Sequence, residues 1–194
     1  MTPAWAKAVY VALAVGWYLI RRRHARRARR TPIASSDRGP GETTLLLVSL
    51  SGLGVLPFVY VATGFPRFAE YPFRPVQAWL GVVVAAAALW VFRLSHRALG
   101  RNWSLSLELR EDHKLITEGI YRHVRHPMYV GFWLWAVAQA LLLPNWIAGP
   151  AGLIGFGTLF FGRVAREERM MLEKFGEDYR AYMARTCRLI PGIY

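Results

Sequence analysis

At 194 residues the chain is long enough for one compact domain and short for two. Its formal net charge of +13 suits a nucleic-acid binder. However, 54% of the residues are hydrophobic, and they fall in runs long enough to cross a bilayer, for which a soluble binder has no use. Cys187 is the single cysteine, so neither an intramolecular disulfide nor a thiolate cluster can form, and the histidines lack HExxH-like spacing, so no metal site is expected.

In chain order, the segment from Pro3 to Ile20 is apolar apart from Lys7, and Trp17 and Tyr18 fall where an interfacial aromatic belt forms. The basic run Arg21, Arg22, Arg23, His24, Arg26, Arg27, Arg29 and Arg30 follows the apolar stretch rather than preceding it. That order reads as a first transmembrane helix, not a cleavable signal, and the positive-inside rule puts the run in the cytoplasm. Residues 31–42 read as a Pro/Gly/Ser linker without defined structure. A second span is expected from Thr43 to Thr63, interrupted at Pro57, and a third from Pro75 to Leu94, with small Ala/Val residues over 82–88 for close helix contacts. The loop between them holds few cations and suits the outer side, whereas Arg93, His96, Arg97 and Arg101 return the chain to the cytoplasmic face.

Residues 98–126 are polar and basic, long for a simple connector, and therefore a candidate functional loop; the alternation from Trp103 to Leu109 suits a short extended segment. Pro127 opens an apolar run to Leu143, Pro144-Asn145 stops it, and Trp146 to Gly162 runs back. Each leg is about 16 or 17 residues, near the lower limit for crossing a bilayer. The two legs predict a helical hairpin, 127–162, entered and left on the cytoplasmic side, with a charged, amphipathic helix, Arg163 to Arg185, emerging from it. The expected fold is all-α: a polytopic membrane bundle of about five transmembrane helices. Residues 1–97 would form the N-terminal spans and 98–194 the region that carries chemistry.

Two clusters flank the hairpin and should meet at the membrane–cytoplasm boundary. In the first, Pro127 at a helix start leaves Arg125 and His126 beside free amides that favour an anion, with Tyr129 in the first turn and Gly131 permitting close approach. In the second, Arg163 and Glu167 are four apart and can pair, while Glu168 points about 100° away. Either cluster alone reads as interfacial charge. Together they offer cations for a carboxylate and carboxylates for an ammonium or a ribose diol. Trp103, Tyr121, Tyr129, Trp133 and Trp135 supply aromatic walls for an adenine. A zwitterionic nucleoside such as S-adenosylmethionine needs that inventory.

From Gly100 to Pro191 the sequence resembles the isoprenylcysteine carboxyl methyltransferase family and its prokaryotic integral-membrane relatives. The resemblance rests on His113, Leu115, Ile116, Gly119 and Tyr121, then Arg125-His126-Pro127-Met128-Tyr129-Val130-Gly131, then Glu167-Glu168 with Leu172, and finally Phe175-Gly176, Tyr179, Tyr182 and Pro191. It implies an S-adenosylmethionine-dependent methyltransferase. His113, Leu115, Ile116, Gly119, Tyr121, His126, Tyr129 and Glu167 would contact the cofactor, and Arg125 would serve the methionine carboxylate or the shape of the loop. Arg163 and Glu168 are assigned to the acceptor side. The acceptor would be a lipophilic small molecule, a lipid or a prenylated cysteine, reached from the membrane, with the site facing the cytoplasm of what reads as a prokaryotic inner membrane. An ionised carboxylate acceptor needs no base; for an amine or hydroxyl, Glu168 is the first candidate. Two rivals stay open: an NADPH-dependent membrane reductase of the sterol-reductase type, although no GxGxxG phosphate loop is present, and a non-enzymatic basic membrane anchor.

Overall fold

The computed structural model describes residues 1–28, 33–36, 40–100, 108–110, 115–190 and 192; His113, Trp103 and Pro191 lie outside the described residues. The elements are α1 (Pro3–Ala28), β1 (Ile33–Ser36), α2 (Pro40–Leu50), α3 (Leu56–Thr63), α4 (Pro75–Leu99), β2 (Glu108–Arg110), α5 (Pro127–Leu142), α6 (Ala151–Phe175) and α7 (Glu177–Arg185). Among the described residues, Pro3–Arg22, Gly41–Thr63 and Pro75–Leu99 are long and apolar enough to cross a membrane, and Pro127–Leu142 is a shorter apolar helix. With α6 these make the five-helix bundle that the sequence predicts. Short strands β1 and β2 pair antiparallel, Ile33 with Arg110 and Ser36 with Glu108, so the 31–42 linker contains an ordered segment after all.

The expected interruption at Pro57 is a π-helical turn, Ser51–Val55, between α2 and α3. Its cause is local. Pro57 has no amide hydrogen for the carbonyl four residues earlier. That carbonyl, on Leu53, instead accepts from the buried Tyr10 hydroxyl of α1 at 2.5 Å, and the neighbouring Gly52 carbonyl accepts from Gln139 Nε2 of α5 at 3.0 Å. Inside a bilayer these polar groups have no water to turn to, so side chains from two flanking helices satisfy them.

Small residues set the helix spacing. A Cβ on Gly52 would lie 2.3 Å from the Ala151 carbonyl oxygen, and one on Gly155 would lie 2.8 Å from that of Val48, so α2 and α6 cross almost backbone to backbone. On the other side, Gly81 of α4 faces Leu142 of α5, and Gly131 of α5 takes the Phe92 ring of α4. These contacts pair the start of α4 with the end of α5, so the two helices run antiparallel.

The hairpin crosses as far as α4 does. At its tip, Trp146 N donates to Ala69 O at 2.8 Å, Asn145 Nδ2 to Pro66 O at 2.8 Å, and Tyr71 N to Pro144 O at 3.2 Å, joining the tip to the α3–α4 connection. The return leg differs from expectation. It does not end at Gly162: α6 runs unbroken from its apolar leg through the charged stretch to Phe175, and the break falls at Gly176, where φ is +52°. Arg, Glu, Met and Leu are all good helix formers, so the change from apolar to charged residues changes the surroundings of the helix but does not end it. The glycine, able to adopt positive φ, ends it.

Candidate active site

Pro127 sets the start of α5, and the residues before it leave the preceding turn to bridge the C-terminal segment. His123 to His126 run parallel to Thr186–Arg188 from the C-terminal end: Cys187 N donates to His123 O, Arg125 N to Cys187 O at 2.8 Å, and His126 N to Arg188 O at 3.1 Å. Tyr182 on α7 donates its hydroxyl to Tyr121 O at 2.7 Å. The chain on both sides of the hairpin is thus sewn into one structure at its mouth, the end opposite the Pro144-Asn145 tip.

Glu168 sits at the centre of that mouth and is 4% exposed. Its Oε1 lies 3.2 Å from Arg125 Nε and 3.3 Å from His126 Nε2, and Arg188 grips both oxygens, at 3.1 Å through Nε and 2.7 Å through Nη2. Burial alone would push this carboxyl up, but the hydrogen bonds and charges of His126 and Arg188 outweigh burial and hold it down at about 2. A carboxyl in that range is a poor proton acceptor. Arg125 also donates through Nη1 to Met183 O and Thr186 O. Of the two uses open to Arg125, these contacts serve the shape of the loop.

Glu167, one residue earlier, faces elsewhere and accepts from the Tyr129 hydroxyl at 2.5 Å. The Tyr129 ring stacks on His126, with centroids 5.4 Å apart, and meets Phe160 edge-on. Tyr121 is buried, and burial together with the nearby Glu167 charge raises its pKa. Arg163 Nη1 lies 3.2 Å from Glu42 Oε1, on α2. Against the C-terminal end of α4, Leu115, Ile116 and Gly119 line a cleft of about 560 Å³ together with Leu94, Arg97 and Glu118. Gly119 has φ +61°, a conformation that favours glycine.

The structure therefore brings Arg125, His126, Tyr129, Arg163, Glu167 and Glu168 to one end of the hairpin and puts Leu115, Ile116 and Gly119 in a cleft against α4; Tyr121, next in sequence to the cleft's Ile120, feels the Glu167 charge. Glu168 turns towards the α5 N-terminus and the C-terminal segment, where it forms an ion-pair hub. Trp133 and Trp135 are not walls of the mouth: Trp133 packs on Phe156, Phe160 and Phe161, and Trp135 is buried among Trp17, Phe92 and Phe132. They lie one turn or more beyond Tyr129, inside the bundle. Sequence reasoning missed Glu42 and Arg188. Glu42 was absorbed into the linker; an acid opening an apolar span was the available signal. Arg188 lay in the late segment known only by its resemblance.

Residues 79–173 match the model of the isoprenylcysteine carboxyl methyltransferase (ICMT) family. A Dictyostelium discoideum protein named protein-S-isoprenylcysteine O-methyltransferase is 33% identical over 122 residues, covering 60% of this chain and 50% of its own length. A rice protein (Oryza sativa subsp. indica) named "Probable protein-S-isoprenylcysteine O-methyltransferase" is 30% identical over 131 residues, covering 66% of this chain and 67% of its own. The chain thus spans between half and two thirds of these relatives. The solved structure of a eukaryotic intramembrane Ras methyltransferase, ICMT, superposes with a TM-score of 0.54 over 81% of this chain and 54% of that one, at 24% identity, a likeness of fold. The α5–α6 hairpin and the Arg125-His126 and Glu167-Glu168 pairs at its mouth fall within the family match, and the chain belongs to the isoprenylcysteine carboxyl methyltransferase family.

Proposed function

We propose that the chain is a membrane-embedded, S-adenosylmethionine-dependent methyltransferase acting on a lipophilic acceptor that ends in a carboxylate, as the names of its relatives suggest. The observations that carry this reading are a cleft lined by apolar, cationic and anionic residues and a cluster of buried ion pairs at the mouth of an apolar hairpin. The donor set fits the cofactor. Leu94, Leu115 and Ile116 suit an adenine, Glu118 and Glu167 suit hydroxyls or an ammonium, and Arg97 suits a carboxylate. Tyr129 bonds Glu167 and stacks on His126, and His113 joins the set by family resemblance. When bound, S-adenosylmethionine supplies a methyl group already activated by its positive sulfur.

The chain's own residues then align the acceptor and exclude water. A carboxylate, with an ordinary pKa of about 4, is ionised at neutral pH and needs no base. Glu168 is held ionised at about 2 by its partners, which favours a carboxylate acceptor over an amine or hydroxyl that would ask Glu168 for proton transfer. In this reading Glu168 positions Arg125 and His126, and Arg163 orients the acceptor by a charge-assisted bond. Residues 98–194 carry the methyltransferase region and 1–97 the N-terminal spans. The positive-inside rule puts the mouth on the cytoplasmic side, in keeping with an inner membrane of a prokaryote.

The test is transfer of labelled methyl from S-adenosylmethionine to N-acetyl-S-farnesylcysteine by the detergent-purified chain. Base-labile label in the product, an ester, is expected. Label on nitrogen, or none, counts against the reading.

A further inference from the structure

Glu42 is the most deeply buried carboxylate among the described residues, at 1% exposure, and no step above uses it. It lies outside residues 79–173, in the first turn of α2. Its two oxygens divide between two arginines one turn apart on α6: Oε1 is 3.2 Å from Arg163 Nη1, and Oε2 accepts from Arg166 Nη2 at 3.0 Å. The seam between the helices brings it there. Gly52 meets Ala151 and Gly155, Leu45 covers Gly162 at 3.0 Å from where a Cβ would stand, and one turn further Glu42 reaches Arg163. Buried charge of this kind is costly unless its geometry is good, and a buried arginine on a long flexible stem points where its partner holds it.

We propose that Glu42 is a positioning residue, which fixes the Arg163 guanidinium at the acceptor side of the site and so sets how well an anionic acceptor is held. The inference rests on the reading of Arg163 as the acceptor's partner. It makes the N-terminal spans part of the site, since the carboxylate comes from α2. Because the carboxylate loses its charge as it is esterified, Arg163 holds the bound acceptor at least as strongly as the transition state. Disturbing Arg163 therefore acts mainly through KM.

The experiment measures KM and kcat for N-acetyl-S-farnesylcysteine, with calorimetric affinity for S-adenosylmethionine, in the wild type, Glu42→Gln and Glu42→Asp. The expected result is a KM raised about tenfold in Glu42→Gln, with kcat and cofactor affinity within about twofold, and partial recovery in Glu42→Asp. If Glu42→Gln also loses the cofactor, Glu42→Asp decides: a raised KM with unchanged cofactor affinity supports the inference, and equal loss of both, or of neither, overturns it. Wild-type turnover with an unchanged or lowered KM in Glu42→Gln overturns this inference alone. A wild type that transfers no methyl to the probe overturns the acceptor reading and the inference with it.

Discussion

The two ends of the α5–α6 hairpin are tied down by different chemistry. At the tip, Asn145 bridges the turn with neutral bonds: Nδ2 donates to Pro66 O, and Oδ1 accepts from Ile147 N at 3.0 Å and Ala148 N at 2.9 Å. Trp146 and Tyr71 add backbone bonds. At the mouth, the same task of joining distant segments falls to Glu168 with Arg125, His126 and Arg188. Neutral bonds suffice to close a turn, so stability alone does not call for buried ions. Charge is concentrated at the end where a zwitterionic cofactor and an anionic acceptor would arrive, and the tip has only to hold.

That contrast can be broken at the mouth first. Glu168→Gln leaves Arg125 and Arg188 without their buried counter-charge, and a loss of about 3–5 kcal/mol is expected from removing one partner of such a group. Thermal unfolding in detergent reads the loss, which should come with lost cofactor binding. A variant as stable as the wild type would show the hub to be dispensable.

Acid should separate the two ends without mutation. The folded-state pKa of Glu168, about 2, lies below its ordinary value of 4.5. Its stabilisation is thus complete above pH 4.5 and is lost as pH falls from there through 2. Hydrogen exchange, corrected for intrinsic rate, should find the Arg125 and His126 amides losing protection in that window while the Trp146 amide keeps its own. Loss at both ends together would contradict a local hub.

Asn145→Ala sharpens the comparison from the tip. It removes neutral bonds and should cost about 1–3 kcal/mol, with cofactor affinity within twofold of wild type. A large fall in affinity would mean that the ends are coupled. The smallest effect belongs mid-membrane: Tyr10→Phe leaves the Leu53 carbonyl without its donor, at about 1 kcal/mol, the scale of interhelical hydrogen bonds in bilayers.

Much of this fold was legible because bilayers impose long apolar runs, and because Pro127 and Pro144-Asn145 mark the hairpin unmistakably. Pro57 announced a disturbance but not its form, since whether the chain kinks or adopts a π turn depends on Tyr10 and Gln139 in other helices. The continuity of α6 is hidden for a related reason: the change of environment at Gly162 leaves the backbone helical, and the turn to positive φ comes only at Gly176. The RHPxYxG and EE segments were found, and their meeting followed from the hairpin. Which acid faces which partner did not follow. Glu42 and Arg188 are paired by tertiary packing with residues far away in sequence, and periodicity carries no information about such pairs. Trp133 and Trp135 show the converse: aromatic type suggests a wall, but a position further along α5 buries Trp135 and packs the half-buried Trp133 against α6.

The most direct test is calorimetric binding of S-adenosylmethionine, its demethylated product and NADPH to the purified full chain, with Glu167→Gln alongside. The account predicts that the first two bind, that Glu167→Gln weakens both about tenfold while the fold is kept, and that NADPH does not compete. A folded chain that binds neither, or that binds NADPH in their place, would contradict it.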